Sequence, residues 1–204
     1  RMLDDPLAPD LLRPLWRALE AQDDDLAENL VRQWTATQAP PLAALLAWLD
    51  APDTDRRWWG VRGLVALARV LGGGETLLEP LRKRLHDEDP SVRCASALAL
   101  AELDLAEATP DLVGALSDGS GWVRAAAADA LALLGERAVP ALAAVLADGP
   151  EGARTRAAYA LSKIRTLATA TVFYHYLQDE NQLVQTYAYD TLEQMGFLQT
   201  ILVV

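Results

Sequence analysis

The chain has 204 residues, 51% of them hydrophobic, enough to bury a sizeable core in one body or two small ones. Eighteen Lys and Arg against 29 Asp and Glu give a net charge of −11, a field that repels phosphate backbones and anionic headgroups and so speaks against nucleic-acid and membrane partners. Cys94 is the sole cysteine, which excludes an intramolecular disulfide and a thiolate zinc site and, with no secretory leader or apolar spanning run apparent, leads to the expectation of a cytoplasmic protein.

In chain order, residues 10–21, 24–36 and 41–49 have helical spacing, and Pro40-Pro41-Leu42 has the form of a helix start. Trp59, Val61, Leu64, Ala66 and Ala68 mark a longer helix. The run Gly72-Gly73-Gly74 ends it, and no Gly-Lys-Ser/Thr follows, so it is a stop and not a phosphate loop. Leu78, Leu81 and Leu85 mark a shorter helix. The same long-then-short design returns with Val92, Ala95, Ala99, Leu100 and Leu103, then Leu112 and Leu116 after Pro110. It is clearest in Val123, Ala126, Ala127, Ala130, Leu131 and Leu134, which fall at i, i+3, i+4, i+7, i+8 and i+11 on one helix face. Gly135 suits the stop and Pro140 the first turn of a second helix carrying Leu142, Val145 and Leu146. A further copy places Ala158, Ala160, Leu161 and Ile164 before Phe173, Tyr176 and Leu177. Val184 to Gly196 reads as a long helix with no short partner, and an apolar tail runs from Phe197 to Val204.

These copies share a period. Asp87, Asp118, Asp148 and Asp179 recur at intervals of 31, 30 and 31, and Arg62, Arg93, Arg124 and Arg154 at 31, 31 and 30. Self-similarity of this length means stacked supersecondary units, here a long A helix and a short B helix. The chain is therefore expected to be all-α and one domain over 1–204. Residues 1–55 form a divergent helical N-terminal cap, 56–178 about four A/B repeats, and 179–204 a terminal half repeat and tail.

The pattern Asp-x₄-Val-Arg-x-Ala-x-Ala-x-Ala-Leu-x-x-Leu-Gly, then Ala-Val-Pro-x-Leu-x-x-x-Leu, runs from Asp118 to Leu146. It resembles the short HEAT-like repeat of the phycobilisome-lyase type, and the likeness extends over about residues 56 to 196. The resemblance implies a right-handed α-solenoid of antiparallel helix pairs, with A helices on the convex side and B helices on the concave side. Its relatives include interaction scaffolds, bilin lyases with their chaperones, and a group of DNA glycosylases. Gln185 stands where the repeat has arginine, and residues before about 55 match poorly, as capping units would.

The Asp and Arg ladder recurs in every unit and is read as scaffold, with aspartates at helix starts and arginines forking onto neighbouring aspartates; an anion site is the alternative. Function is expected where the units differ, on the concave B ridge. There Lys83, Gly114, Ala144 and His175 hold equivalent positions, flanked by Arg82, Val113, Ala143 and Tyr174. This makes a groove basic at one end, small in its middle and aromatic at the other, suited to a partner peptide or helix. Trp122 is expected to be exposed. His86, His175 and Cys94 suggest neither a shared metal site nor a nucleophilic triad, and no cofactor is expected. The tail either folds back over the last A helix or docks on a second copy, as a homodimer, or on a partner. The leading expectation is a non-enzymatic protein-interaction scaffold. A bilin-lyase-like enzyme or chromophore chaperone is the alternative, and a DNA glycosylase stands behind both for want of a basic groove.

Overall fold

The computed structural model describes residues 12–35 and 42–198. The Pro40-Pro41 helix start and the last six residues of the apolar tail lie outside the described residues. Twelve α-helices follow one another, with three short 3₁₀ turns and no strand among the described residues. Helices α1 (Arg13–Glu20), α2 (Asp24–Arg32) and α3 (Leu42–Leu49) precede four A/B pairs. These are α4 (Thr54–Leu71) with α5 (Leu78–Arg84), α6 (Pro90–Glu102) with α7 (Thr109–Ala115), α8 (Gly121–Leu134) with α9 (Val139–Asp148), and α10 (Glu151–Ile164) with α11 (Leu167–Tyr174). The A helix α12 (Gln182–Gln194) closes the series. The fold class is the α-solenoid. Its contacts fall into two compact units, Arg1–Ala99 and Leu100–Val204, divided inside α6, a partition that suits a chain in which each repeat touches only its neighbours.

In the first unit, α3 lies against α4 at two glycines. A Cβ on Gly63 would sit 2.8 Å from Leu45 Cδ2 and 3.2 Å from the Trp34 ring, and one on Gly60 would sit 3.2 Å from Leu49 and Trp48. These absent side chains let α3 approach, and Leu45, Trp48, Leu49, Leu64 and Leu81 fill the core. Asp53 caps α4 by accepting the Arg56 N–H at 2.9 Å, and Gly72 and Gly73, at φ 76 and 77, end the helix in backbone that glycine adopts without strain. Trp59 is buried in edge contact with the half-buried Trp58, 4.9 Å between ring centroids.

In the second unit the α8 stripe from Val123 to Leu134 is buried as its spacing requires, with Ala128 added. Gly135, at φ 68, stops α8, and Pro140 stands in the first turn of α9. By composition the stretch Gly121–Asp148 is apolar enough to cross a membrane, but it consists of two helices joined by a turn, and their leucine stripes face protein. Helix α10 packs on α8, α9 and α12, and Ala157, Ala160 and Leu161 are among its buried residues. Phe173 fills the core beneath α11, whereas Tyr176 and Leu177 lie beyond that helix and are half-buried. Their apolar spacing suggests helix, but α11 ends at Tyr174 in a turn in which the Tyr176 N–H donates to Phe173 O.

Candidate functional site

The repeated arginines serve the backbone of their own unit. Arg93 donates Nη1 to the carbonyls of Asp87 and Glu88, six and five residues back, and Arg124 does the same to Asp118 and Gly119. The first unit reveals a different register from the sequence period. Arg57, not Arg62, makes this pair of bonds, to Ala51 at 3.0 Å and Pro52 at 3.1 Å. Arg62 instead meets Glu28 on α2 at 2.7 Å. The 31-residue interval selected the wrong arginine because α4 has 18 residues where α6 has 13, and Arg57, like Arg93, stands three residues after the first residue of its helix. Arg154 donates Nε to Leu146 O, eight residues back, and pairs with Asp179; Gln185 reaches Leu177 O, also eight back, without a charge.

The repeated aspartates hold loops and do not cap helices directly. Asp87, Asp118 and Asp179 each accept the N–H two residues on, from Asp89, Ser120 and Asn181. The capping role passes to the next polar residue: Asn181 accepts from Leu183 and Val184, and Asp89 from Ser91. Ser91 bonds hold the Asp89 carboxyl below its usual range. Asp148 breaks the series, because the residue two places on is Pro150, which has no N–H to give.

The B-helix positions part company in a similar way. In the first unit, Lys83 pairs with Asp50 at 2.8 Å, and this bond lowers the carboxyl's pKa; Arg82 pairs with Glu79 at 2.8 Å. The expected basic end is thus charge-compensated. In the second unit the outward faces of α7 and α9 run side by side and enclose an open depression of about 550 Å³. From α7 come Pro110 and Val113, from the turn after it Ser117, and from α9 Ala141, Ala144, Val145 and Asp148. Gly149, Pro150 and Ala153 form one end. The structure brings Val113 and Ala144 together there, while Gly114, Ala143, Tyr174 and His175 lie outside this lining. Tyr174 and His175 are exposed at the end of α11.

Sequence reasoning had set Val145 in the core stripe and Asp148 in the ladder, yet both line the depression. The signal was present in the i, i+3, i+4, i+7 spacing from Ala141 to Asp148, which describes the other face of α9.

Other candidates have ordinary surroundings. Cys94 is half-buried, and His86 is exposed beside Lys83 and Glu88. Among the described residues no three His, Cys, Asp or Glu side chains are placed to hold a metal ion. Tyr159 donates to Asp129 at 3.0 Å, which raises its pKa, and meets Tyr187 edge-on, so these two tyrosines are tied into packing, whereas Tyr174 and Tyr189 are exposed. Trp122 is 82% exposed.

Fold and surface together define a helical-repeat protein whose short helices present a shallow apolar face. Residues 42–132, and again 78–162, match the HEAT-repeat family, and these segments span more than half the chain. The chain belongs to the HEAT-repeat family. A comparison with curated proteins finds no match. Among solved structures, Escherichia coli YibA is 20% identical, with 92% of this chain and 72% of that one covered and a TM-score of 0.58. The complex of CpcE and CpcF of phycocyanin lyase from Nostoc is 22% identical, with 80% and 68% covered and a TM-score of 0.53. At these identities the likeness is one of fold.

Proposed function

We propose that this protein is a non-catalytic interaction scaffold that holds a peptide or small domain of a protein partner on its B-helix face. The observation that carries the reading is the depression between α7 and α9, floored by Val113, Ala141, Ala144 and Val145. Small side chains on two packed helices leave room for a partner's side chain and lose little freedom when it arrives, so the ordering cost of binding is low. The net charge of −11 favours a protein partner over a polyanion. The bilin-lyase alternative has only fold likeness behind it.

The test is selection of displayed linear peptides on the wild-type protein, followed by measured affinities for the Ala144→Arg variant. Ala144 is exposed, so the variant is expected to keep its helical spectrum. The reading predicts at least about a tenfold loss of binding, the scale of a blocked anchor pocket. Selected peptides that bind wild type and variant alike would remove this face from consideration.

A further inference from the structure

We infer that the occupant of the α7–α9 depression is a peptide segment pairing an aliphatic side chain, seated on Val113 and Ala144, with a Lys or Arg side chain that meets Asp148 at the end closed by Gly149 and Pro150. This rests on the docking reading above and names the partner's chemistry.

Among the described residues, Asp148 is the only ionisable side chain lining the depression. It is exposed, and no described residue hydrogen-bonds or ion-pairs with its carboxylate. The ladder explains its counterparts, since Asp87, Asp118 and Asp179 each hold a loop N–H, but Pro150 denies Asp148 that bond. Nor does Asp148 serve its own helix. It is the last residue of α9, where the carbonyl ends of the helix already concentrate partial negative charge, so a carboxylate there opposes the dipole. The scaffold therefore gains nothing evident from this acid, and a cation arriving from outside would gain from both the carboxylate and the helix end.

The surroundings reinforce the sign. The nearby Arg154 already engages Asp179 and Leu146 O, so its charge is compensated. From Leu100 onward the chain carries six Lys and Arg against thirteen Asp and Glu. Gly149 keeps this end tight, because a Cβ there would lie 2.5 Å from Val145 O. An apolar floor a helix turn from a solvent-facing carboxylate selects adjacent aliphatic and cationic side chains, with the apolar group supplying most of the affinity and the charge supplying preference.

The probe is a library of random linear heptapeptides displayed against the folded full chain. Wild-type binders are expected to be enriched in Lys or Arg beside Leu, Ile, Val or Met, and to weaken as salt rises. Asp148→Asn should weaken them about fivefold, the scale of a partly screened ion pair. Asp148→Lys should shift a fresh selection toward Glu and Asp. Binders that require Ala144 but show no basic enrichment, or that ignore Asp148→Asn, overturn the cationic partner and leave the docking face standing. Binders indifferent to Ala144→Arg overturn both.

Discussion

Arg57 and Asp87 form a two-bond fork, Nε to Oδ2 and Nη2 to Oδ1, each at 3.0 Å, with both side chains buried. The same guanidinium donates to the carbonyls of Ala51 and Pro52 and to Glu88, so a single arginine closes one loop and grips the next. Asp87 in turn raises the arginine's pKa through this hydrogen bond. Removing Asp87 leaves the buried Arg57 with only the exposed Glu88 as counter-charge, and removing Arg57 leaves the buried Asp87 with only Arg84, 3.4 Å away. Arg57→Ala is expected to destabilise the first unit by about 3–5 kcal/mol, and Asp87→Ala by a similar amount. The double variant should cost less than the sum, as urea unfolding of the four proteins would show.

Gln185 provides a natural guide to Arg154. Both reach a carbonyl eight residues back, but only Arg154 adds an ion pair, to Asp179. Arg154→Gln should keep the carbonyl bond and be about 1 kcal/mol milder than Arg154→Ala, which leaves that carbonyl without its partner. Thermal denaturation monitored by circular dichroism would rank the two; equal midpoints would contradict the assignment.

Gly63 sets how closely α3 approaches α4. With Leu45 Cδ2 2.8 Å from the position of an added Cβ, Gly63→Ala forces leucine or helix to move and is expected to cost about 1–3 kcal/mol, despite alanine's better helix propensity. Gly114, on α7, has open space around the same position. Gly114→Ala should therefore stabilise its helix by about 0.5–1 kcal/mol, and the opposite signs are the measurement to make.

Asp89 accepts both the N–H and the hydroxyl of Ser91, and its folded pKa is lowered. Its contribution to stability is therefore present above the unfolded value of about 3.8 and is lost as pH falls through the lower folded value. Ser91→Ala removes part of that preference. The loss of stability between pH 6 and pH 2 should be smaller in the variant than in the wild type, whatever the offset from alanine's helix propensity. Chemical denaturation at the two pH values tests this, and an unchanged difference would show that Ser91 does not hold the carboxylate.

The long helices were legible because burial imposes a 3.6-residue period. The stripe from Val123 to Leu134 had to be inward once it was a helix, and Gly135 and Pro140 marked where one helix ends and the next begins. The ladder was legible as a recurrence but not as a set of bonds. Equal spacing paired Arg62 with Arg93, whereas the loop-closing geometry belongs to Arg57. Hydrogen bonding depends on distance from the loop's carbonyls at the start of the helix, and a helix of altered length, as α4 is, breaks the numerical register without breaking the contact. The outward faces of α7 and α9 were half legible: Val113 and Ala144 stood out, but Asp148 was absorbed into the repeat.

By itself the sequence determined the period, the helix pairs and the HEAT-repeat character, because apolar spacing, glycine stops and proline starts act within a few residues of each other. Only the tertiary structure decided which arginine closes the first repeat, and which side chains of α7 and α9 share one depression. It also showed that the third aspartate of the ladder, Asp148, faces solvent and holds no loop N–H. The depression joins segments about thirty residues apart, and the loop bonds turn on where each side chain stands relative to its own helix start, neither of which equal spacing along the chain measures.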